Sequence, residues 1–214
     1  MLSPLATRNN VVPLAQSAYS LSAAAVLSDT FTDSDGVELG DGTGGTHAPD
    51  VGSAWIQRNP GGGTKKMEIG GNRAVFDGAG TSVAGAYSET GVSNILITAD
   101  FIASGNSALF GIEYRGVSTG NQFFAMANES TATMIIYEWT SSVLTIRATS
   151  AFTYVAATSY PAVISASGNV HEFTLGATMI SYTTAVRNTA TQHGVAQLGG
   201  SLDGEIDNIV IVSA

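Results

Sequence analysis

Glu205 and Asp207 stand two residues apart in DGEIDNIVIV, residues 203–212, close to the end of a 214-residue chain. The run is β-forming, and alternate residues of a strand share a face, so the two carboxylates point the same way. A retaining glycosidase uses two carboxyls about 5–5.5 Å apart, one as nucleophile and one as acid/base. The same pattern also suits the last strand of a sandwich with a polar outer face. Other chemistry-bearing residues are sparse. His47, His171 and His193 are far apart and lack the spacing of a metal site. Neither a Ser-His-Asp nor a Cys-His set can be argued. GAGTSVAG, residues 78–85, has no lysine and no following helix to make it a phosphate loop.

Composition narrows the classes further. The chain has no cysteine, which removes a disulfide framework and any thiolate metal site. Its net charge is −9 and Lys65 and Lys66 are its only lysines, so a phosphate backbone finds little to bind and nucleic acid is not an expected partner. Charged residues make up 12%, about half the usual share, which suits a protein assembled with others or working outside cells. The length allows one large β domain able to bury its own core.

Those carboxylates need strands to hold them. Residues 94–102, NILITADFI, alternate Ile95, Ile97, Ala99 and Phe101 against Leu96, Thr98 and Asp100, the period of a half-buried strand. In ALFGIEYR, residues 108–115, Phe110, Ile112 and Tyr114 fall on one face, and Glu113 and Arg115 on the other. Further strands are expected at 122–127, 133–139, 143–148, 160–166, 170–176, 179–184, 194–198 and 205–212, with Gly- and Asn-containing turns between them. Many short antiparallel runs imply an all-β sandwich or jelly roll. Residues 33–52 and 59–63 read as long loops.

Residues 1–27 read as an N-terminal arm, distinct from a sandwich over 28–214. Gln16, Tyr19 and several serines interrupt a signal-peptide core, and the apolar run is too short to span a bilayer, so membrane insertion is not expected. Leu14, Ala18, Leu21 and Ala25 fall on one helical stripe that would serve as an assembly surface. Stretched out instead, 27 residues would reach roughly 90 Å at ~3.3 Å each.

Several segments together resemble the concanavalin A-like, laminin-G-like jelly rolls of bacteriophage and bacterial surface proteins. They are DTFTDSDGVEL, THAPDVGSAW and MEIGGNRAVF at the start, FGIEYRGVSTGNQFFAM in the middle, and the stretch from SGNVHEFTLG to DGEIDNIVIV at the end. The resemblance covers about residues 28–212 and implies the fold more than the activity, because that fold hosts glycan binders, enzymes and scaffolds. Laminarinase-type endoglucanases share it and place a second Glu on the same strand face. Here Ile209 and Val210 stand where that acid/base would be, so no catalytic residue is expected and the chain is read as a non-enzyme. The resemblance also implies a structural calcium where first and last strands meet, with Asp29 and Asp207 as ligands and Asp33 and Asp35 completing the shell. Turn and capping hydrogen bonds are the simpler role for these aspartates. Trp55, Trp139 and Tyr137 are the expected glycan platforms, against the ordinary burial of aromatic residues in a sandwich.

The expectation is therefore a non-enzymatic phage virion protein, a capsid decoration protein held by its arm, homo-oligomeric and in contact with capsid or tail subunits on the particle surface. The alternative is a carbohydrate-binding module of a tail fibre or secreted protein that recognises a host glycan.

Overall fold

The computed structural model describes residues 23–40, 47–58, 66–76, 83–199 and 204–214. Leu14, Ala18 and Leu21 of the expected assembly stripe lie outside them. The described residues form fifteen strands: β1 (Ala25–Asp29), β2 (Ile56–Arg58), β3 (Met67–Ile69), β4 (Ala74–Phe76), β5 (Val83–Glu89), β6 (Ile95–Ile102), β7 (Leu109–Ser118), β8 (Asn121–Asn128), β9 (Thr133–Thr140), β10 (Val143–Ala151), β11 (Ser159–Ser167), β12 (Val170–Leu175), β13 (Thr178–Thr183), β14 (Gln192–Leu198) and β15 (Glu205–Ser213). All pairings are antiparallel. One sheet of eight strands runs β13-β12-β11-β6-β15-β4-β3, with β1 also on β15; the other, of seven, runs β10-β9-β8-β7-β14-β5-β2. Each of the ten strand ranges expected from periodicity falls on an observed strand. The expected arm and sandwich meet differently, because β1 begins at Ala25, which pairs with Val212, and Leu27 is fully buried in the core.

The two sheets bury one contiguous core, in which Ile95, Ile97 and Phe101 of β6 face Phe110, Ile112 and Tyr114 of β7 and Phe123 of β8. Each such side chain contributes roughly 1.5–3 kcal/mol by leaving water. On β6 the burial alternates as the sequence implies, with Leu96, Thr98 and Asp100 only partly buried on the outer face. On β8 and β9 it does not: six consecutive residues of each are buried.

Buried polar groups fix the two ends. At one end the Asp29 carboxylate accepts hydrogen bonds from Trp55 Nε1 at 2.6 Å, from His47 Nε2 at 2.8 Å and from the Phe31 amide at 2.7 Å. At the other end Arg115 is fully buried at a backbone φ of 49°, inside a bulge of β7. This left-handed turn explains why Arg115 leaves the face of Glu113, where strict alternation puts it, and enters the sandwich. Its guanidinium donates to the carbonyls of Ser93, Gly168 and Ala166 and to Asn94 Oδ1, tying the seven-stranded sheet to the turns of the other. Its amide donates to His193 Nδ1 at 3.1 Å, so the His193 proton sits on Nε2, 2.8 Å from the Val92 carbonyl. His171 Nε2 lies 3.3 Å from Arg115 Nη1 and so also faces a donor.

Two predictions follow from these ends. Asp29→Asn leaves the Trp55 and His47 donors competing for a neutral acceptor, and should cost about 2–4 kcal/mol in urea denaturation, whereas Asp33→Asn at the surface should cost less than about 0.5 kcal/mol. Equal costs would contradict the Asp29 role. Burial pushes both His171 and His193 down to about 4, so both are neutral in the fold. The unfolded chain takes those protons at about 6.5. Stability is then complete above that pH and declines as the pH falls toward 4, by up to about 1.4 kcal/mol per pH unit for each histidine. Urea midpoints measured from pH 7.5 to 4 should show this decline, and His193→Gln should reduce its slope by about half, leaving the share of His171.

Candidate functional site

The outer face of the seven-stranded sheet carries side chains that a solvated face would not. Cross-strand register sets them in rows. Ile146, Tyr137, Phe124, Glu113, Gly194, Tyr87 and Ile56 follow one another from β10 to β2. Beside them, towards the Arg115 end, Leu144, Trp139 and Gln122 form a second row that Gln192 extends on β14. On the other side Ile135, Met126, Gly111, Ala196, Gly85 and Arg58 form a third, with a floor of small residues in its middle. Phe124, Met126, Ile135, Tyr137, Trp139 and Ala196 pack as a second apolar cluster, separate from the sandwich core. The rim on β10 is open: Leu144 is 40% and Ile146 55% exposed.

Within this face lies a set of polar groups. Arg58 Nη1 is 3.4 Å from Glu113 Oε2, both side chains being almost fully buried, and its Nη2 donates to Gln192 Oε1. The guanidinium also stands 4.0 Å over the Tyr87 ring. Burial pushes Glu113 up to about 7, against the opposing charge of Arg58. Gln122 lies beside Glu113 and offsets part of the rise, yet its amide makes no hydrogen bond of ordinary geometry. Glu113 Oε1, both polar atoms of the Gln122 amide and Trp139 Nε1 are buried without a hydrogen-bond partner. Each such group costs about 1–3 kcal/mol, so four on one face are a reserve of unmet bonding that a polar ligand can satisfy.

The expected platform residues separate here. Tyr137 and Trp139 are brought onto this face, two residues apart on β9 and opposite Phe124 and Gln122 of β8. Trp55 is not: it is 2% exposed, stacked on Phe31 in the core, with its N–H spent on Asp29, so it is no glycan platform. Glu113, Gln122, Arg58 and Gln192 were not singled out from the sequence. For Gln122 the signal is QFFAMA followed by MIIYEW, apolar at both parities with a single polar residue set into each buried run; Glu113, Arg58 and Gln192 lie outside these segments.

The four aspartates expected to hold calcium are not gathered. Asp29 is saturated by its donors; Asp33 Oδ1 accepts from Ser34 N; Asp35 Oδ1 accepts from Gly71 N; and Asp207 lies on the outer face of β15 opposite Asp100. Among the described residues no three His, Asp or Glu side chains form a group suited to a metal ion. Burial raises the Asp207 carboxyl above its ordinary range, with Asp100 and Glu205 adding to the rise and the Asn208 amide and Arg73 opposing it. Glu205 is ion-paired with Arg73 and lines a cleft of about 300 Å³ with Ile102, Ala103, Ser104 and Ala157. Neither Asp207 nor Asp100 lines that cleft, and among the described residues that line it Glu205 is the one carboxyl.

The sequence matches no protein-family model and no curated protein. The fold is shared with solved structures at low identity. The carbohydrate-binding module CBM66 from Bacillus subtilis is 15% identical, covers 75% of this chain and 96% of its own, and has a TM-score of 0.59. A protein of unknown function with a galectin-like fold from Bacillus subtilis is 9% identical over 74% of this chain and 89% of its own, TM-score 0.59. A suspected glycosyl hydrolase from Parabacteroides distasonis is 10% identical over 75% and 88%, TM-score 0.52. The chain thus shares the antiparallel jelly-roll sandwich fold of these structures.

Proposed function

We propose that this chain is a non-enzymatic glycan-recognition module whose ligand lies on the outer face of the seven-stranded sheet, at the margin formed by Trp139, Gln122, Tyr137 and Glu113. The observation that carries the reading is the set of unpaired polar atoms on Glu113, Gln122 and Trp139, placed among aromatic rings outside the sandwich core. A sugar ring offers what this face lacks: hydroxyls that donate to the Glu113 carboxylate, hydroxyls that accept from the Trp139 and Gln122 N–H groups, and an apolar C–H face for the rings. The jelly-roll architecture is in keeping with it, one solved neighbour being a carbohydrate-binding module. Against hydrolysis stands the Glu205 carboxylate, tied to Arg73, with no second carboxyl among the described residues that line its cleft. The setting we infer is display on a particle or cell surface, a phage virion among them, on the strength of the resemblance of residues 28–212.

A glycan array probed with a multivalent form of the full chain should give hits. Trp139→Ala and Gln122→Ala should each weaken the best hit by about tenfold or more, which is ~1.4 kcal/mol, while Glu205→Gln leaves it unchanged. No binding to any glycan, or binding indifferent to both face variants, would overturn the proposal. Turnover of a β-glucan that is lost in Glu205→Gln would replace it with the hydrolase reading.

A further inference from the structure

We infer, within the glycan reading and resting on it, that Glu113 sets the class of ligand: the face admits neutral, hydroxyl-bearing sugars, and Glu113 turns away a carboxylate or sulfate placed against it. Donors and acceptors give the first reason. Glu113 Oε2 faces Arg58 Nη1 at 3.4 Å, which leaves Oε1 as the oxygen without a partner. An ionised carboxylate oxygen only accepts, so the group that meets Oε1 must bring a hydrogen. The unpartnered Gln122 amide needs both a donor and an acceptor, and Trp139 Nε1 needs an acceptor. Sugar hydroxyls answer all of these, because each can donate and accept at once. A carboxylate or sulfate in the same position brings acceptors alone, so it leaves Oε1 unmet and sets like charge beside like charge.

Charge gives the second. Among the described residues the one cation on this face, Arg58, is already engaged: it is 3% exposed, its terminal nitrogens go to Glu113 and Gln192, and it lies over the Tyr87 ring. Arg147 and Arg187 both pair with Glu138, which alternates with Tyr137 and Trp139 on β9 and so projects from the opposite side of the sheet. Arg73 pairs with Glu205 and Lys66 with Glu38, both on the other sheet. An anionic sugar therefore finds repulsion from Glu113 without a free cation to offset it, at a depth where water screens little. Acidity should lift the restriction. Burial holds Glu113 up at about 7, so it passes from carboxylate to carboxyl as the pH falls through that value. The protonated group has no charge to repel and has a hydrogen to donate. The groups facing it are Arg58 from β2, Tyr87 from β5, uncharged Gln122 from β8 and Gly194 from β14, with Glu89 beyond Gln192. His193 is not among them, its Nδ1 accepting from the Arg115 amide and its Nε2 facing the Val92 carbonyl.

The test applies a multivalent form of the full chain to gluco-, galacto- and manno-oligosaccharides, each beside its 6-uronate and 6-sulfate form, at pH 8.5 and at pH 5.5. At pH 8.5 the neutral form of the best hit should bind about thirtyfold or more tightly than its acidic forms, the factor set by the small protonated fraction of Glu113 at that pH. Lowering the pH to 5.5 should strengthen uronate binding by up to about thirtyfold as that fraction approaches one. Binding of the neutral form should change by less than about threefold, since a hydroxyl can serve either state of Glu113. In Glu113→Gln the ratio of neutral to uronate binding should be the same at both pH values. Acidic forms that bind as tightly as neutral ones at pH 8.5, a wild-type ratio that does not move with pH, or a ratio that still moves in Glu113→Gln would each overturn the inference and leave the glycan reading standing. An array blank for every form would overturn both. Should Glu113→Gln fail to fold, the wild-type series decides alone.

Discussion

A strand sends alternate side chains to opposite faces, and in β8 and β9 both sets are buried. That constraint governs the rest of the structure. One set, with Phe123, Ala125 and Ile136, closes the sandwich against the eight-stranded sheet. The other, with Phe124, Met126, Ile135, Tyr137 and Trp139, builds a second apolar layer on the far side. A sheet with two buried faces is ordinary in parallel α/β folds, where helices cover both, and unusual in an antiparallel sandwich. Here the second layer is also where Glu113, Gln122 and Arg58 are held almost without solvent. The polar groups and the second apolar layer share one surface, with Gln122, Glu113 and Arg58 set in three adjacent rows.

The ends of the sandwich are set by charge held away from water. Arg115 crosses from one sheet to the other and is satisfied by carbonyls and an amide oxygen, with two neutral histidines beside it. An uncompensated charge at that depth would be costly, and the number of its acceptors is what makes the position tolerable. Asp29 does the converse at the other end, gathering donors from a backbone amide, a histidine and a tryptophan. These two hubs, one cationic and one anionic, keep the layers in register, so that the outer rows of the seven-stranded sheet meet in the order that places Gln122 beside Trp139 and Glu113 beside Phe124.

Much of the architecture was legible in the sequence because period-2 alternation is a local signal. β6 could be read residue by residue. The ten expected strands fall where they do for that reason, and the jelly-roll resemblance agrees with the sheet order. The site was half legible. Tyr137 and Trp139 stood out as aromatic residues on a strand, whereas Trp55 was misjudged because its partner, Asp29, is 26 residues away and only folding brings the two together. Arg115 was misplaced because the bulge that turns it inward depends on a left-handed backbone at a residue that rarely adopts one. The double-faced burial of β8 and β9 was present in QFFAMA and MIIYEW, but a continuous apolar run does not say which of its two faces is the core.

The account depends most on the claim that the outer layer of the seven-stranded sheet is a true second core. The direct measurement is the change in unfolding free energy for Met126→Ala on that face, set against Val163→Ala on the outer face of the eight-stranded sheet. The account predicts about 2–4 kcal/mol lost for Met126→Ala, the cost of emptying a packed interior position, and less than about 1 kcal/mol for Val163→Ala. Losses of the same small size at both positions would contradict it.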